Sequence, residues 1–380
     1  MTSVTLVMSK DPVAERGGDV ELSRLLITLA ADDFDVSAIC LSPESGVVTM
    51  DLASTGLELT RVRKPAVAPH RLAVQVLRSR RSLVHARFDT PDLRAAIDST
   101  RSDVVVAEHS YMAESFLNSA RRGSARLVVN THVSESLVWR ATRGILGRIE
   151  EPRLLRDELR VARAADAVGT FDADEAEFYR ARGVHGARWL DLTLPPAEQV
   201  AVADTPPRLV FMGTRDWPPN QEAFEYALAL WPAISAGIED AELCVIGAKK
   251  TGVRDPVYPA GVRDLGFVDD LHGFLGTCRA MVAPIVTGGG VRVKILDAAR
   301  IGLPVVGTSA AVGSLGETFG LSTHDSDEAF VAACRGFLTD ASSAARAGAD
   351  LYEINRDRWV RRAPHAAVAA LLDGTQAPTR

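Results

Sequence analysis

The sequence predicts an α/β protein made of two consecutive domains, each an open parallel sheet with helices on both faces. Three observations predict this. The chain has 380 residues, more than one hydrophobic core usually supports. Short β-branched runs alternate with helical patterns throughout, and the runs carry little polar alternation, as strands buried on both faces do. Between the halves lies "TLPPAEQVAVADTPPR", residues 193–208, with two Pro-Pro pairs and few large apolar side chains. That composition marks a linker, and the boundary is placed between residues 195 and 196.

In the first half the strands are read at 4–9, 36–41, 57–62, 103–108, 126–131, 167–171 and 187–192, with helices clearest at 19–31, 110–121, 151–165 and 172–183. In the second half strands are read at 208–213, 242–248, 264–268, 280–285 and 303–309, with helices at 219–235, 271–277 and 291–301. The helix at 219–235 shows the pattern best. Phe224, Ala227, Leu228 and Trp231 recur at i, i+3, i+4 and i+7 and place one apolar stripe against a sheet. Pro218 and Pro219 suit a helix start, with Asn220 a candidate cap.

Composition narrows the class. Apolar residues make up 47% and the formal charge is -6, which speaks against a broad nucleic-acid footprint. The four cysteines, Cys40, Cys244, Cys278 and Cys334, are scattered in apolar contexts and read as buried free thiols, as in a reducing compartment. No secretory leader or membrane span is read, so the expected location is cytoplasmic.

One stretch carries chemistry: "IVTGGGVRVKILDAARIGLPVV", residues 285–306. A strand ends, and Gly288, Gly289, Gly290 and Val291 lead into a helix. Glycines let a ligand approach the backbone, and the first amides of a helix attract anions. Arg292 and Lys294 follow in the first turn, where the dipole disfavours cations by about 0.3–1 kcal/mol. A diphosphate at that point would account for both. Asp297, three residues on, can face the same side as Lys294 and accept bonds from ribose hydroxyls. The plainer alternative is a tight turn followed by a solvated Lys-Asp pair. The stretch is neither a Walker A loop nor G-x-G-x-x-G, so an ATPase or a simple dehydrogenase lacks its usual marker.

Around this stretch the chain resembles a known family, the retaining GT-B nucleotide-sugar glycosyltransferases of the family 4-like group (glycosyl transferases group 1). "LVFMGTRDWPPNQEAFEYALALWPAI" resembles the first strand and helix of that family's C-terminal domain. "VRDLGFVDDLHGFLGTCRAMVAPIVTGGGVRVKILDAARIGLPVVGTS" resembles its donor-binding core. "ERGGDVELSRLLITLA" and "VVNTHVSESLVWR" resemble its N-terminal glycine loop and histidine motif.

The resemblance implies two Rossmann-like domains facing across a cleft. Residues 1–195 would bind the acceptor and 196–380 the donor, with the last helix a candidate to cross back to the first domain. It implies transfer of a hexosyl-type sugar from a nucleoside-diphosphate sugar to a hydroxyl with retention, no permanently bound cofactor and no metal. Arg292, Lys294 and His132 take the catalytic positions. Gly213, Arg215, the 288–291 loop and Asp297 would hold the donor, with Gly17 and Gly18 opposite. Two departures stand out. Asp297 sits where a glutamate usually holds the ribose, and Gly289 where many members have another glutamate. Thr214 and Pro219 replace a basic pair that often binds phosphate, so Arg292 and Lys294, helped by Arg215, are the expected substitutes.

In the N-terminal half, His132 and Glu135 have the spacing of the family's His-x-x-Glu variant, and His109 ends another strand. His109 and Glu135 are read on the acceptor side, with structural histidines as the alternative. The remaining histidines have no paired ligand spacing, so no metal site is read. Residues 61–87 carry eight Arg or Lys and no acid. Leu72, Val76 and Leu83 can share a helix face there, which suits peripheral contact with an anionic membrane or a phosphorylated acceptor. A solvated basic face is the alternative. Rival functions are a nucleotide-sugar epimerase, a catalytically decayed sugar-nucleotide binder and, more distantly, a dinucleotide redox enzyme. Donor base, sugar and acceptor stay open.

Overall fold

The computed structural model describes residues 1–52, 55–66, 68–249, 252, 254–287 and 293–375. Within them the chain forms two compact units. One takes the described residues of 1–192 together with 363–375, the other those of 193–287 and 293–362.

The first unit contains an eight-stranded sheet. Its strands are β1 (Ser3–Met8), β2 (Asp35–Ser42), β3 (Gly46–Leu52), β4 (Thr55–Arg63), β5 (Val104–Glu108), β6 (Arg126–Thr131), β7 (Ala167–Thr170) and β8 (Ala187–Trp189). The spatial order is β3-β4-β2-β1-β5-β6-β7-β8. All neighbours are parallel except β3 and β4, which pair antiparallel from Gly46↔Arg61 to Leu52↔Thr55. β1 pairs with β2 on one side and β5 on the other (Leu6↔Ala38, Leu6↔Val106). The sheet therefore grows outward in both directions from β1. The core runs through Val105, Val129, Leu154, Val161 and Val168 beside Leu93, Ile97 and Phe116.

The second unit contains β9 (Arg208–Met212), β10 (Glu242–Ile246), β11 (Val262–Gly266), β12 (Ala280–Ala283) and β13 (Val305–Gly307). All pairs are parallel, in the order β11-β10-β9-β12-β13. The apolar stripe of helix Pro218–Ser235 lies as its period predicts: Phe224, Ala227, Leu228 and Trp231 are all buried. Phe211, Val245, Val282 and Phe330 complete that core.

In open sheets of this kind ligands bind at the carboxyl ends of strands, where the order of strands reverses. Here those points are the β1/β5 pair and the β9/β12 pair. Gly17, Glu108 and His109 follow or end the first pair, and Gly213 and Lys294 follow the second.

The helix Ala363–Asp373 packs in the first unit. Leu371 touches Gly169, where a Cβ would come within 2.8 Å of its Cδ2. Arg188 donates to the Ala370 carbonyl at 2.6 Å, and His365 Nε2 is 3.3 Å from Asp32. The preceding helix, Ala341–Val360, packs in the second unit, with Asn355 donating to the Leu194 carbonyl at 2.9 Å.

Local readings change in three places. The helix expected to carry Leu72, Val76 and Leu83 on one face stops at Arg80, which takes a left-handed conformation (φ 57°), and a separate helix runs Leu83–Phe88. Helix Pro218–Ser235 is preceded by Trp217 as its N-cap residue. Asn220 lies inside the first turn and does not cap it. The region 110–121 forms a 3-10 turn and the short helix Ala113–Leu117 in place of one long helix. The four cysteines are free and buried.

Candidate active site

The first unit places a buried carboxylate-imidazole cluster at the carboxyl ends of β5 and β6. Glu108 is the last residue of β5 and is 1% exposed. An acid there requires donors, since an unpaired charge in such a place costs several kcal/mol. The neighbouring elements supply them. Asn130 Nδ2 from β6 donates to both oxygens at 3.1 and 3.2 Å, and Ser23 Oγ donates to Oε2 at 3.1 Å. The third partner is His132 Nε2. An Nε2-H donated to Glu108 leaves His132 Nδ1 with a lone pair, the logic by which a carboxylate fixes an imidazole tautomer. That Nδ1 is buried and has no hydrogen-bond partner.

His109 stacks on His132, with centroids 4.5 Å apart, and on Tyr111 at 5.0 Å. Its backbone is left-handed (φ 77°), a conformation uncommon outside glycine and held here by a bond from its amide to the Asn130 carbonyl at 2.8 Å. Burial, then the adjacent His132, hold its pKa well below the ordinary imidazole value, so the ring is neutral. Its Nδ1 faces Glu135 Oε1 at 3.5 Å and has no hydrogen bond.

Glu135 begins helix Glu135–Thr142. Burial, then repulsion from Glu158 and Asp19, push its carboxyl up to about 8, so near neutral pH it is largely a protonated acid. Glu158 sits under the same helix start and accepts from the Glu135 amide at 2.5 Å and from Ser134 Oγ at 3.2 Å. Gly17 precedes helix Gly18–Ala31 at φ 146°, a region closed to most side chains, and a Cβ there would lie 2.9 Å from Asp19 Oδ1. Lys10 pairs with Asp19 at 2.7 Å. A recess lined by Ser9, Lys10, Asp19, Ser23, Glu108 and His109 joins the glycine turn to the histidine cluster. The structure thus brings His109, His132 and Glu135 together, with Gly17, next to Gly18, beside the Lys10 and Asp19 that line the recess.

The second unit builds a different site after β9 and β12. Lys294 lies in the first turn of helix Val293–Ile301, half-buried. Its Nζ donates to Asn220 Oδ1 at 3.3 Å and stands 5.7 Å from the centre of the Phe211 ring. Among the described residues no carboxylate pairs with it. Desolvation lowers its pKa to about 8. Asn220 also donates to the Thr214 carbonyl at 3.0 Å, and Gly213 is the residue that lets it approach, because a Cβ would lie 2.9 Å from Asn220 Cγ. Asp297 is three residues beyond Lys294 on the same helix. Gly288, Gly289, Gly290, Val291 and Arg292 lie outside the described residues.

Arg215 departs from expectation. Its guanidinium makes a bidentate pair with Asp264 at 2.7 and 2.9 Å, lies over the Phe224 ring at 4.8 Å, and is 2% exposed. Asp264 is further held by Tyr258 and by Lys249 at 3.3 Å. The fork that would bind a diphosphate is already filled by a carboxylate, so Arg215 braces the loop after β9 against β11. Sequence reading also passed over Glu108, Asn130 and Lys10, and took Asn220 only as a helix cap. The available signal was Glu108 and Asn130 themselves, polar residues closing apolar strand runs, which must be partnered. Among the described residues no group of His, Cys, Asp and Glu is placed to hold a metal ion.

Two Rossmann-like units, each with its polar residues gathered where the strand order reverses, define the GT-B class of fold. Solved structures agree. Sucrose-phosphate synthase from Thermosynechococcus elongatus is 16% identical, with 98% of each chain covered and a TM-score of 0.73. HepE of Anabaena, solved with UDP and glucose, is 12% identical over 98% of this chain and 100% of that one, at 0.67. A mutant TarM of S. aureus, solved with Fondaparinux, alpha-GlcNAc-glycerol and UDP, is 7% identical over 98% and 99%, at 0.70. At such identities the likeness shows the fold. No curated protein sequence matches the chain. The family models decide the class: "Glycosyl transferase 4-like domain" matches residues 16–190 and "Glycosyl transferases group 1" residues 206–340. The chain belongs to the GT-B, family 4-like glycosyltransferases, sugar-transferring enzymes that act on nucleotide-sugar donors.

Proposed function

We propose that the protein is a retaining glycosyltransferase that moves a hexosyl group from a nucleoside-diphosphate sugar to an acceptor hydroxyl. The second unit holds the donor and the first the acceptor. The observation that carries this reading is Lys294, a half-buried ammonium with an amide oxygen as its hydrogen-bond partner and no carboxylate among the described residues. A desolvated cation without a counter-ion attracts an anion strongly, and the diphosphate supplies one.

In this reading Lys294 neutralises charge as the bond from the sugar C1 to the diphosphate oxygen breaks. The acceptor oxygen bonds to C1 on the same face, and its proton passes to the departing diphosphate. Arg292 and the amides of residues 288–291 are assigned to the same group from sequence, and Asp297 to the ribose. His132, its tautomer fixed by Glu108, offers Nδ1 to a hydroxyl of the transferred sugar. His109 and Glu135, both neutral near pH 7, offer a lone pair and an acidic proton to the acceptor.

Both HepE and TarM are solved with UDP, which makes UDP the first nucleotide to try. The test is a thermal-shift series with UDP, GDP, CDP and TDP, repeated on Lys294→Ala. Stabilisation by one diphosphate that disappears in the variant supports the assignment. Equal stabilisation of both proteins removes it. Incubating the matching sugar nucleotide with and without acceptor hydroxyls then separates transfer from epimerisation, which needs no acceptor.

A further inference from the structure

A basic, apolar surface lies on the first unit, carried by residues that neither site uses for ligand contacts. Helices Glu135–Thr142 and Gly144–Ala164 form a hairpin with their backbones touching: a Cβ on Gly147 would lie 1.9 Å from the Trp139 carbonyl oxygen. The side turned away from that contact leaves Leu137, Ile145, Leu146 and Ile149 exposed at 49, 78, 51 and 64%. Arg140, Arg143 and Arg148 are exposed beside them.

Adjoining this hairpin is the end of helix Pro69–Ser79, where Val74 and Leu77 are 47 and 76% exposed. The two are bonded side by side. Arg156 donates to the Arg80 carbonyl at 2.5 Å, and the Leu83 amide donates to Glu150 Oε2 at 3.0 Å. Residues 69–87 and 136–149 contain no Asp or Glu and eight arginines. The nearest acids are engaged otherwise. Glu150 and Asp157 are buried and accept the Leu83 and Ser82 amides, and Glu151 pairs with Arg140 at 3.2 Å.

We infer that this surface docks the protein on an anionic lipid bilayer, with Ile145, Leu146 and Ile149 entering the interface and the arginines meeting lipid phosphates. Six large aliphatic side chains exposed in water on these neighbouring elements call for an apolar partner. The excess of arginines over acids fixes the sign of that partner's charge, and aliphatic tips framed by cations are what an interfacial helix presents. A protein interface would favour aromatic anchors and a balanced rim. The 61–87 segment supplies part of the charge, and the hairpin supplies most of the apolar area.

The test is flotation of the full chain with phosphatidylcholine vesicles, alone and with phosphatidylglycerol, at low and high salt. The wild type is expected to float with anionic vesicles only, and less at high salt. Arg143→Gln/Arg148→Gln should weaken binding about five-fold per arginine. Ile145→Ser/Leu146→Ser/Ile149→Ser should weaken it about ten-fold or more while melting temperature and nucleotide-dependent stabilisation stay at wild-type values. Absence of flotation, equal flotation with neutral vesicles, or variants that float like the wild type would overturn the inference. So would a concentration-dependent dimer that the serine variant abolishes, which would make a second copy the occupant.

Discussion

The two polar centres are built on opposite principles. At the first centre the Glu108 carboxylate is well partnered: Asn130, Ser23 and His132 surround it, and His109 is stacked between two rings. Around Lys294 a cation has, among the described residues, one amide oxygen and an aromatic ring beneath it. The first is pre-organised for orientation, and its orphan atoms include ring nitrogens of His109 and His132 that suit hydroxyls. The second is under-compensated and suited to charge. A transferase needs both, one to aim a neutral nucleophile and one to stabilise a departing anion.

The largest expected effect tests whether Arg215 belongs to the second centre at all. Arg215→Ala leaves Asp264 buried without its fork and should cost about 3–5 kcal/mol in stability, read by denaturant unfolding. Nucleotide affinity per folded molecule should stay unchanged. A selective loss of affinity with intact stability would move Arg215 back among the donor ligands.

Lys294→Ala comes next. Loss of a charge aimed at the leaving group should raise the barrier by about 3 kcal/mol, seen as a fall in kcat/KM of roughly a hundredfold, with stability held or improved because a desolvated ammonium is gone. The pH profile sharpens the point. A lysine pKa lowered to about 8 means the free enzyme loses its cation as pH rises through about 8, so nucleotide affinity should fall there in the wild type. Lys294→Ala should lack that limb.

In the first centre, Glu108→Gln keeps the shape but offers the imidazole an amide in place of a carboxylate. We expect kcat/KM to fall about ten-fold, with nucleotide binding to the second unit unaltered. An unchanged turnover would leave Glu108 a purely structural acid. The remaining effect, on stability and not on turnover, concerns Glu135. Its carboxyl is raised to about 8 in the fold from an ordinary value near 4.5, so the folded state binds more protons across that window. Stability is therefore lost as pH rises from about 5 to about 8. Glu135→Gln should flatten the melting temperature over that range relative to the wild type.

The contrast also explains what sequence could show. The parallel strands were legible because they are buried on both faces and read as unbroken apolar runs, as in "DVVVAE" and "RLVVNT". The antiparallel β3 was not, since Gly46–Leu52 is a partly exposed edge strand without that signature. Helical periodicity continues across Arg80, so nothing local marked the left-handed break. The candidate ligands His109, His132 and Lys294 could be picked out because they follow strand ends or a glycine run, and Glu135 by its His-x-x-Glu spacing from His132. Arg215 looked equivalent by position, yet its partner Asp264 is 49 residues away in sequence. Only the pairing of β10 with β9 and β11 brings the two together.

The chain leaves the first unit at residue 192 and returns to it at 363. Leu371 and Ala370 then close over Gly169 and Arg188. During synthesis, which proceeds from the amino terminus, the second unit has all its strands before the first has its final helix. The earlier half must wait, with the seat for Leu371 uncovered, until the ribosome has made the second unit.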